Sequence, residues 1–192
     1  MATSSITREP EFPVDRLFLD RWSPRAFAPD PIPHATLMTL FEAARWAPSC
    51  FNDQPWYFVY ASEASGLAKM RSILVEKNRL WADRAPVLAL VCSHKQFKHN
   101  DQPNRWAPFD AGAAWMSLAL QASMLGLCVH AMAGFDLDAA YATLGLPREK
   151  FDIHAAVAIG RRGDPKLLPE ELAAREAPTG RKPLAEIIRV IS

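Results

Sequence analysis

The stretch APSCFNDQPW, residues 47–56, joins two segments of different periodicity. Before it, apolar residues recur at helical spacing from Leu37 to Ala44, and Pro48 ends the pattern because the residue before a proline avoids helical dihedrals. After it, the aromatic and β-branched run 56–61 predicts a strand. The stretch places a hydroxyl, a thiol and two amides on a short loop. Such a loop is either an ordinary turn or a binding site.

The composition is that of an ordinary globular protein. The chain has 192 residues, 49% hydrophobic and 22% charged, with 22 basic and 21 acidic side chains. We therefore expect one domain and no nucleic-acid or membrane partner. Cys50, Cys92 and Cys128 form no CxxC pair, which favours free thiols over a disulfide framework or a zinc site. Residues 1–13 lack the apolar core of a signal peptide, and we predict a cytoplasmic protein.

Basic side chains occur in two separate segments. In RWSPRAF, residues 21–27, Arg21, Ser23 and Arg25 alternate, so they share one face if the backbone is extended. Two guanidiniums and a hydroxyl suit a phosphate or another anionic, oxygen-rich ligand. A solvated basic edge is the alternative. The second basic pair, Arg181 and Lys182, lies in a polar tail.

The middle of the chain alternates between helix and strand patterns. Ser62 is a candidate N-cap for a helix whose apolar residues begin at Leu67. The apolar runs 87–92 and 153–160 predict buried strands. Residues 93–108 have no periodicity and predict a functional or mobile loop.

Residues 111–127 predict a helix capped by Asp110, with apolar side chains all round. Such a helix is buried in a core or against a partner subunit. A short strand and glycine-containing turn at 126–136, then a helix at 138–144, follow. The irregular order favours an α+β or mixed α/β fold, and no GxGxxG, Walker, HExxH or GxSxG motif is present.

Taken together, six segments resemble the flavin-dependent nitroreductase family. They are RWSPRAF (21–27), AARWAPSCFNDQPW (43–56), NRLWADRAPVLALVC (78–92), FDAGAAWMSLALQASMLGLCVHAMAGFD (109–136), FDIHAAVAIG (151–160) and RKPL (181–184). The resemblance implies an α+β fold with a central antiparallel sheet wrapped by helices, and an intertwined homodimer with two FMN molecules at its interface. It implies one nitroreductase-like domain over residues 1–192, with a flexible arm at 1–14 and a tail at 161–192 that wraps the partner subunit.

The resemblance also implies four groups of cofactor contacts. By position, the FMN phosphate, ribityl chain and pyrimidine edge would be held by Arg21, Ser23 and Arg25, and the phosphate also by Arg181 with Lys182. The flavin ring would be contacted from the other subunit by Ser49, Cys50, Asn52 and Gln54. The backbone N–H groups of Met132, Ala133 and Gly134 would lie near flavin N5. No metal ligand set is expected. Two departures from the family are Cys50, where a second serine is common, and the bulky Phe51.

The implied activity is ping-pong transfer of a hydride from NADH or NADPH through FMN to an electron-poor acceptor such as a nitroaromatic or a quinone. Arg25 is the candidate for stabilising negative charge at the N1/O2 edge of the reduced flavin. Two alternatives stay open. One is a flavoenzyme of the same fold with another acceptor, as in reductive dehalogenation or flavin fragmentation. The other is a non-enzymatic flavin-binding or storage dimer.

Overall fold

The computed structural model describes residues 8–191, and its centre is one antiparallel sheet of four strands. The strands are β1 (Trp56–Ala61), β2 (Val87–His94), β3 (Cys128–Met132) and β4 (Phe151–Gly160), in the order β1-β2-β4-β3. All three neighbouring pairs are antiparallel. The strands predicted from apolar and β-branched runs are therefore present, and two of them, β2 and β4, are longer than expected.

Seven helices surround the sheet. They are α1 (Arg16–Asp20), α2 (His34–Arg45), α3 (Ala64–Ser72), α4 (Glu76–Ala82), α5 (Ala107–Met124), α6 (Leu137–Leu144) and α7 (Glu170–Ala173) within the described range. Short 3₁₀ turns lie at Cys50–Asn52, Pro165–Leu167 and Leu184–Glu186. None of the helices between residues 8 and 191 is long and apolar enough to span a membrane.

Each face of the sheet carries its own apolar core, because successive side chains of a strand point to opposite faces. In the buried strand β2, Val87, Ala89 and Val91 belong to the cluster that contains α2 and α5. Leu88, Leu90 and Cys92 belong to the cluster that contains α3, α4 and α6. The α+β fold with a central antiparallel sheet between helices, which the resemblance implied, is confirmed.

Two predicted helix caps were wrong. Helix α5 begins at Ala107, with Pro108 in its first turn, where a missing N–H costs no hydrogen bond. Asp110 therefore lies inside the helix, and its carboxylate accepts from the backbone N–H of Cys50 at 3.1 Å. Glu63, not Ser62, occupies the N-cap position of α3, without a side-chain cap bond. The irregular segment predicted at 93–108 shrinks to residues 95–106, since β2 and α5 extend into its ends.

Candidate cofactor site

Arg21 directly follows the last residue of α1, and its side chain indicates where a ligand would bind. Its guanidinium is half-buried, and its Nε and Nη1 atoms are buried without a hydrogen-bond partner among residues 8–191. Burial lowers the pKa of Arg21, and the nearby charge of Arg181 lowers it further. The structure thus brings together Arg21 and Arg181, two residues predicted for one phosphate site.

Arg8 is a third arginine in the same place, and sequence reasoning missed it. Its Nη1 donates to Leu19 O at 2.7 Å and to Arg21 O at 2.8 Å, and its Nε donates to Thr179 O at 2.9 Å. Burial lowers the pKa of Arg8, as do the charges of Arg181 and Arg21. A single arginine in a polar N-terminal segment has no local pattern that could have identified it.

These three guanidiniums, Arg8, Arg21 and Arg181, form what we call the arginine cluster. Like charges in a partly desolvated place repel one another, and buried charged nitrogens are costly unless they are paired. A dianion with several oxygen acceptors would offset both penalties, and a phosphate offers bidentate acceptors to a guanidinium fork. The partnerless nitrogens of Arg21 therefore fit a phosphate group.

The tail side of the cluster is more exposed. Arg181 Nη1 donates to Gly180 O at 2.9 Å and to Thr179 O at 3.3 Å, which folds the side chain back onto its own segment. Lys182 lies next to it in the chain, but its Nζ is 3.9 Å from Glu186 Oε2 in an exposed ion pair. Such a pair contributes little to stability, so Lys182 remains available to an anion.

Arg25 lies in a second group, with Glu176 and His130. Glu176 is buried, and its Oε1 accepts from the backbone N–H groups of Arg25 and Ala26, each at 2.8 Å. The other oxygen, Oε2, is buried without a partner in the described part of the chain. Glu176 thus fixes the backbone that carries Arg25 to the middle of the C-terminal tail, 151 positions further along the chain.

His130 of β3 supports the same segment from the sheet. Its Nδ1 lies 2.9 Å from Pro24 O, and since a carbonyl only accepts, Nδ1 carries the proton. The ring packs on Trp81 with centroids 4.5 Å apart. Burial lowers the pKa of His130, and the charge of Arg25 also lowers it, so the neutral ring is favoured. Ser23 and Arg25 flank Pro24, so His130 positions both.

The loop Ser49–Gln54 has an unusual backbone. Phe51, Asn52 and Gln54 all have positive φ, at 54°, 54° and 51°. Non-glycine residues adopt such dihedrals rarely and at a cost, so surrounding contacts must hold them. Ser49 Oγ accepts from Gln54 N at 3.0 Å, and Gln54 Nε2 donates to Asn52 O at 3.0 Å.

Two carboxylates anchor this loop to its neighbours. The buried Asp53 accepts from Lys98 N at 2.9 Å and from Asn104 Nδ2 at 3.3 Å, which ties the loop to residues 95–106. The carboxylate of Asp110 accepts from the backbone N–H of Cys50. That hydrogen bond lowers the pKa of Asp110, but burial raises it by more, so the pKa is raised overall. No hydrogen bond between residues 8 and 191 joins the loop to the arginine cluster.

Phe51 at the tip of the loop is 80% exposed. Its ring centroid lies 5.9 Å from that of Phe97 and 5.5 Å from that of His99, both in edge-on contacts. The bulky side chain noted in the sequence therefore leans towards the neighbouring loop.

The third predicted contact group follows β3. Met132 is the buried last residue of that strand, and Ala133 is exposed. Gly134 O accepts from Asn78 Nδ2 at 2.8 Å and from Val75 N at 3.2 Å. A Cβ at Gly134 would come within 2.7 Å of Asn78 Nδ2 and 2.8 Å of Val75 Cγ2, so a side chain here would have to displace the ends of those two side chains.

A cavity of about 730 Å³ lies between the N-terminal segment, α1 and the tail. Arg8, Arg181 and Lys182 line it together with apolar side chains such as Phe12, Phe18 and Ile187. Residues 8–14, predicted as part of a flexible arm, pack beside the tail here. Residues 1–7 of that predicted arm lie outside the described residues.

Comparison with known proteins finds relatives over most of this chain. A family model described as "Nitroreductase family" matches residues 19–79 and 67–161. A protein of Streptomyces coelicolor is 34% identical over 143 residues, covering 62% of this chain and 69% of its own length. One of Xanthomonas oryzae is 30% identical over 151 residues, covering 67% and 76%. Both bear the name "Putative NADH dehydrogenase/NAD(P)H nitroreductase".

A solved structure described as an "oxidoreductase containing FMN" is 45% identical, with a TM-score of 0.90, and the match covers 98% of this chain and 96% of that one. A nitroreductase family protein of Clostridium difficile, at 23% identity and a TM-score of 0.72, shares the fold. The family match spans most of the chain and covers five of the six segments quoted from the sequence, all but RKPL (181–184). This chain belongs to the nitroreductase family.

Proposed function

We propose that this protein is an FMN-dependent oxidoreductase that accepts a hydride from NADH or NADPH and reduces an electron-poor acceptor, such as a nitroaromatic or a quinone. The arginine cluster is the observation that carries the proposal, since its buried, partnerless guanidinium nitrogens fit a phosphate. The similarity to an oxidoreductase that contains FMN supports the choice of flavin. Bound FMN would supply the two-electron redox chemistry, and the protein would bind and orient it.

The cluster would hold the phosphate. Arg21 would donate from its two buried nitrogens, Arg181 and Lys182 would close from the tail, and Ser23 would add a hydroxyl. A hydrogen bond to a charged group contributes roughly 1.5–3 kcal/mol, so Arg21 and Arg181 would each have a measurable share of the affinity. The positive charge also favours the phosphate-bearing cofactor over riboflavin.

Arg25 is the residue that we assign to the pyrimidine edge of the ring. Glu176 accepts from the backbone N–H of Arg25 and His130 donates to the carbonyl of Pro24, so the backbone that carries this side chain is fixed before any ligand binds. A fixed positive charge at the edge where negative charge develops stabilises the reduced state without reorganisation. Met132, Ala133 and Gly134 would offer backbone N–H groups on a turn fixed by Asn78.

Ser49, Cys50, Asn52 and Gln54 would contact the ring from the partner subunit. Their loop is held in strained dihedrals by Asp53 and Asp110, which gives the amides fixed directions. Isoalloxazine carbonyl and N–H groups need such donors and acceptors at fixed positions. Among residues 8–191 of one protomer no hydrogen bond joins the loop to the arginine cluster, which supports a site completed by two copies.

The surface of α5 supports the homodimer. Phe109 and Met124 on this helix are 77% and 64% exposed in the single chain. A row of large apolar side chains open to water is typical of a protein–protein interface. We therefore propose that α5 packs against a second copy, with residues 161–192 wrapping that copy.

The proposal is tested by the visible spectrum of the purified protein and its response to a reductant. We expect flavin absorption that NADH or NADPH bleaches under anaerobic conditions, and that a quinone restores. Failure of apo-protein to take up added FMN would contradict the proposal. Flavin-loaded protein that neither nucleotide bleaches would instead show a storage protein.

A further inference from the structure

Arg8 connects the two segments that carry the phosphate-binding arginines. Through Nη1 it binds the carbonyl of Leu19 in α1 and that of Arg21 itself, and through Nε it binds Thr179 O in the tail. Leu19 and Arg21 are 11 and 13 positions from Arg8 in the sequence, whereas Thr179 is 171 positions away. Arg8 also lies outside the residues that the family model matches.

The geometry of these bonds requires a guanidinium. A planar fork can donate to three carbonyls in different directions, whereas an ammonium is a compact point charge on a flexible stem. All three acceptors are backbone carbonyl oxygens, so these bonds fix the backbone conformation and do not depend on neighbouring side chains. Lysine at this position would keep the charge but lose most of the bonds.

A second contact joins the same two segments. Glu11 Oε1 accepts from Leu184 N at 2.8 Å, three residues beyond Arg181. Glu176, five residues before Arg181, fixes the tail to Arg25 and Ala26. The stretch between Glu176 and Leu184, which contains Arg181, is thus held at both ends, and Arg8 binds it in between.

We propose that Arg8 is a positioning residue that couples the Arg21 and Arg181 sides of the phosphate site, so that a phosphate-bearing flavin and docking of the tail stabilise each other. This inference rests on the proposed function. Such coupling is reciprocal: if docking of the tail strengthens phosphate binding, the phosphate must strengthen docking by the same factor. Riboflavin lacks the phosphate and has no share in the coupling.

The test compares wild type, Arg8→Lys and Arg8→Ala as full-length apo-proteins titrated with FMN and with riboflavin. Loss of one or two hydrogen bonds predicts FMN binding weaker by about three- to thirtyfold in both variants, with riboflavin affinity unchanged. Arg16→Lys is the matched control, because Arg16 is exposed and, among the residues that the structure describes, its one ion pair is with Asp20 at 2.9 Å. We expect it to bind both flavins like wild type.

Hydrogen exchange of the tail peptide 178–188 provides the second readout. In wild type, saturating FMN should slow exchange more than saturating riboflavin, and in Arg8→Lys that difference should shrink. If Arg8→Lys matches wild type in both measurements, only the charge of Arg8 matters and the positioning role is overturned. If wild type binds neither flavin, the proposed function itself fails, which is a distinct result.

Discussion

At the scale of single residues, the partnerless nitrogens of Arg21 and the strained backbone of the 49–54 loop each carry a free-energy cost. Folding removes polar groups from water, and such groups are normally paired again inside the protein. Arg21 Nε and Nη1 have no pair in residues 8–191, and the loop holds Asn52 and Gln54 on a backbone of positive φ. Both arrangements cost free energy that a bound ligand would offset.

Replacement of Asn52 or Gln54 by Ala should weaken FMN binding, because each change leaves a polar edge of the ring unpaired at about 1–3 kcal/mol. The two effects should not add, since Gln54 Nε2 also donates to Asn52 Oδ1 at 3.2 Å. Flavin titration measures the FMN affinity of each variant, and the visible spectrum reports changes around the flavin ring. Cys50→Ser is the control and should be nearly silent, because the hydroxyl can replace the thiol. Wild-type affinity and spectrum in both alanine variants would make the loop an ordinary turn.

Residue patterns predicted part of the site and not the rest. The alternation of Arg21, Ser23 and Arg25 indicated an anion, and the structure does bring Arg21 and Arg181 close together. Arg8, Glu176 and His130 could not be predicted, because each acts on backbone groups far away in the sequence. A lone carboxylate or imidazole carries no local sign of such a partner.

At the scale of elements, the end of β4 holds the segment that bears Arg25. Gly163 N donates to Ala26 O at 2.8 Å, and Ala28 N donates to Arg161 O at 3.0 Å. A Cβ at Gly163 would come within 2.6 Å of the carbonyl carbon of Phe27. Backbone cannot yield as a flexible side chain can, so glycine is required here.

Gly163→Ala should lower the free energy of unfolding by about 1–3 kcal/mol, as expected for overpacking, and weaken FMN binding by displacing Arg25. Urea denaturation and flavin titration measure the two effects. Gly180→Ala is the control, since nothing lies within 4 Å of a Cβ there. Equal stability of Gly163→Ala and wild type would show that the close approach does not constrain the segment.

Element types were more predictable than element ends. Strands β2 and β4 followed from continuous apolar runs, since burial on both faces allows no polar alternation. The start of α5 was misplaced because Asp110 looked like a cap, although its carboxylate instead bonds to the 49–54 loop. Bonds to distant parts of the chain therefore decided the boundary.

At the scale of the whole molecule, one chain leaves the outer side of α5 open to water. The sequence predicted a helix without a polar face, and the inner side, including Ala111, Ala114 and Leu118, is buried against the sheet and α2. Phe109 and Met124 remain exposed. The apolar pattern predicted burial in a core or against a partner subunit, but an apolar surface does not specify its own occupant.

We expect sedimentation analysis to find a dimer at micromolar concentration. Phe109→Glu should dissociate it, since a carboxylate buried at an apolar interface without a partner is costly. Leu80→Glu on α4 is the control: Leu80 is 55% exposed on the opposite side of the sheet, and the charge there stays in water. A stable FMN-loaded monomer of the wild type would contradict the homodimer.

A paired flavin titration of wild type and Arg181→Ala tests most directly whether the arginine cluster binds a phosphate. A charge-assisted bond to phosphate contributes roughly 1.5–3 kcal/mol, so Arg181→Ala should weaken FMN binding on the order of ten- to a hundredfold. Riboflavin affinity should be unchanged, and the preference of wild type for FMN over riboflavin should narrow. An unchanged ratio of the two affinities would place Arg181 on a solvated surface and contradict the phosphate site described here.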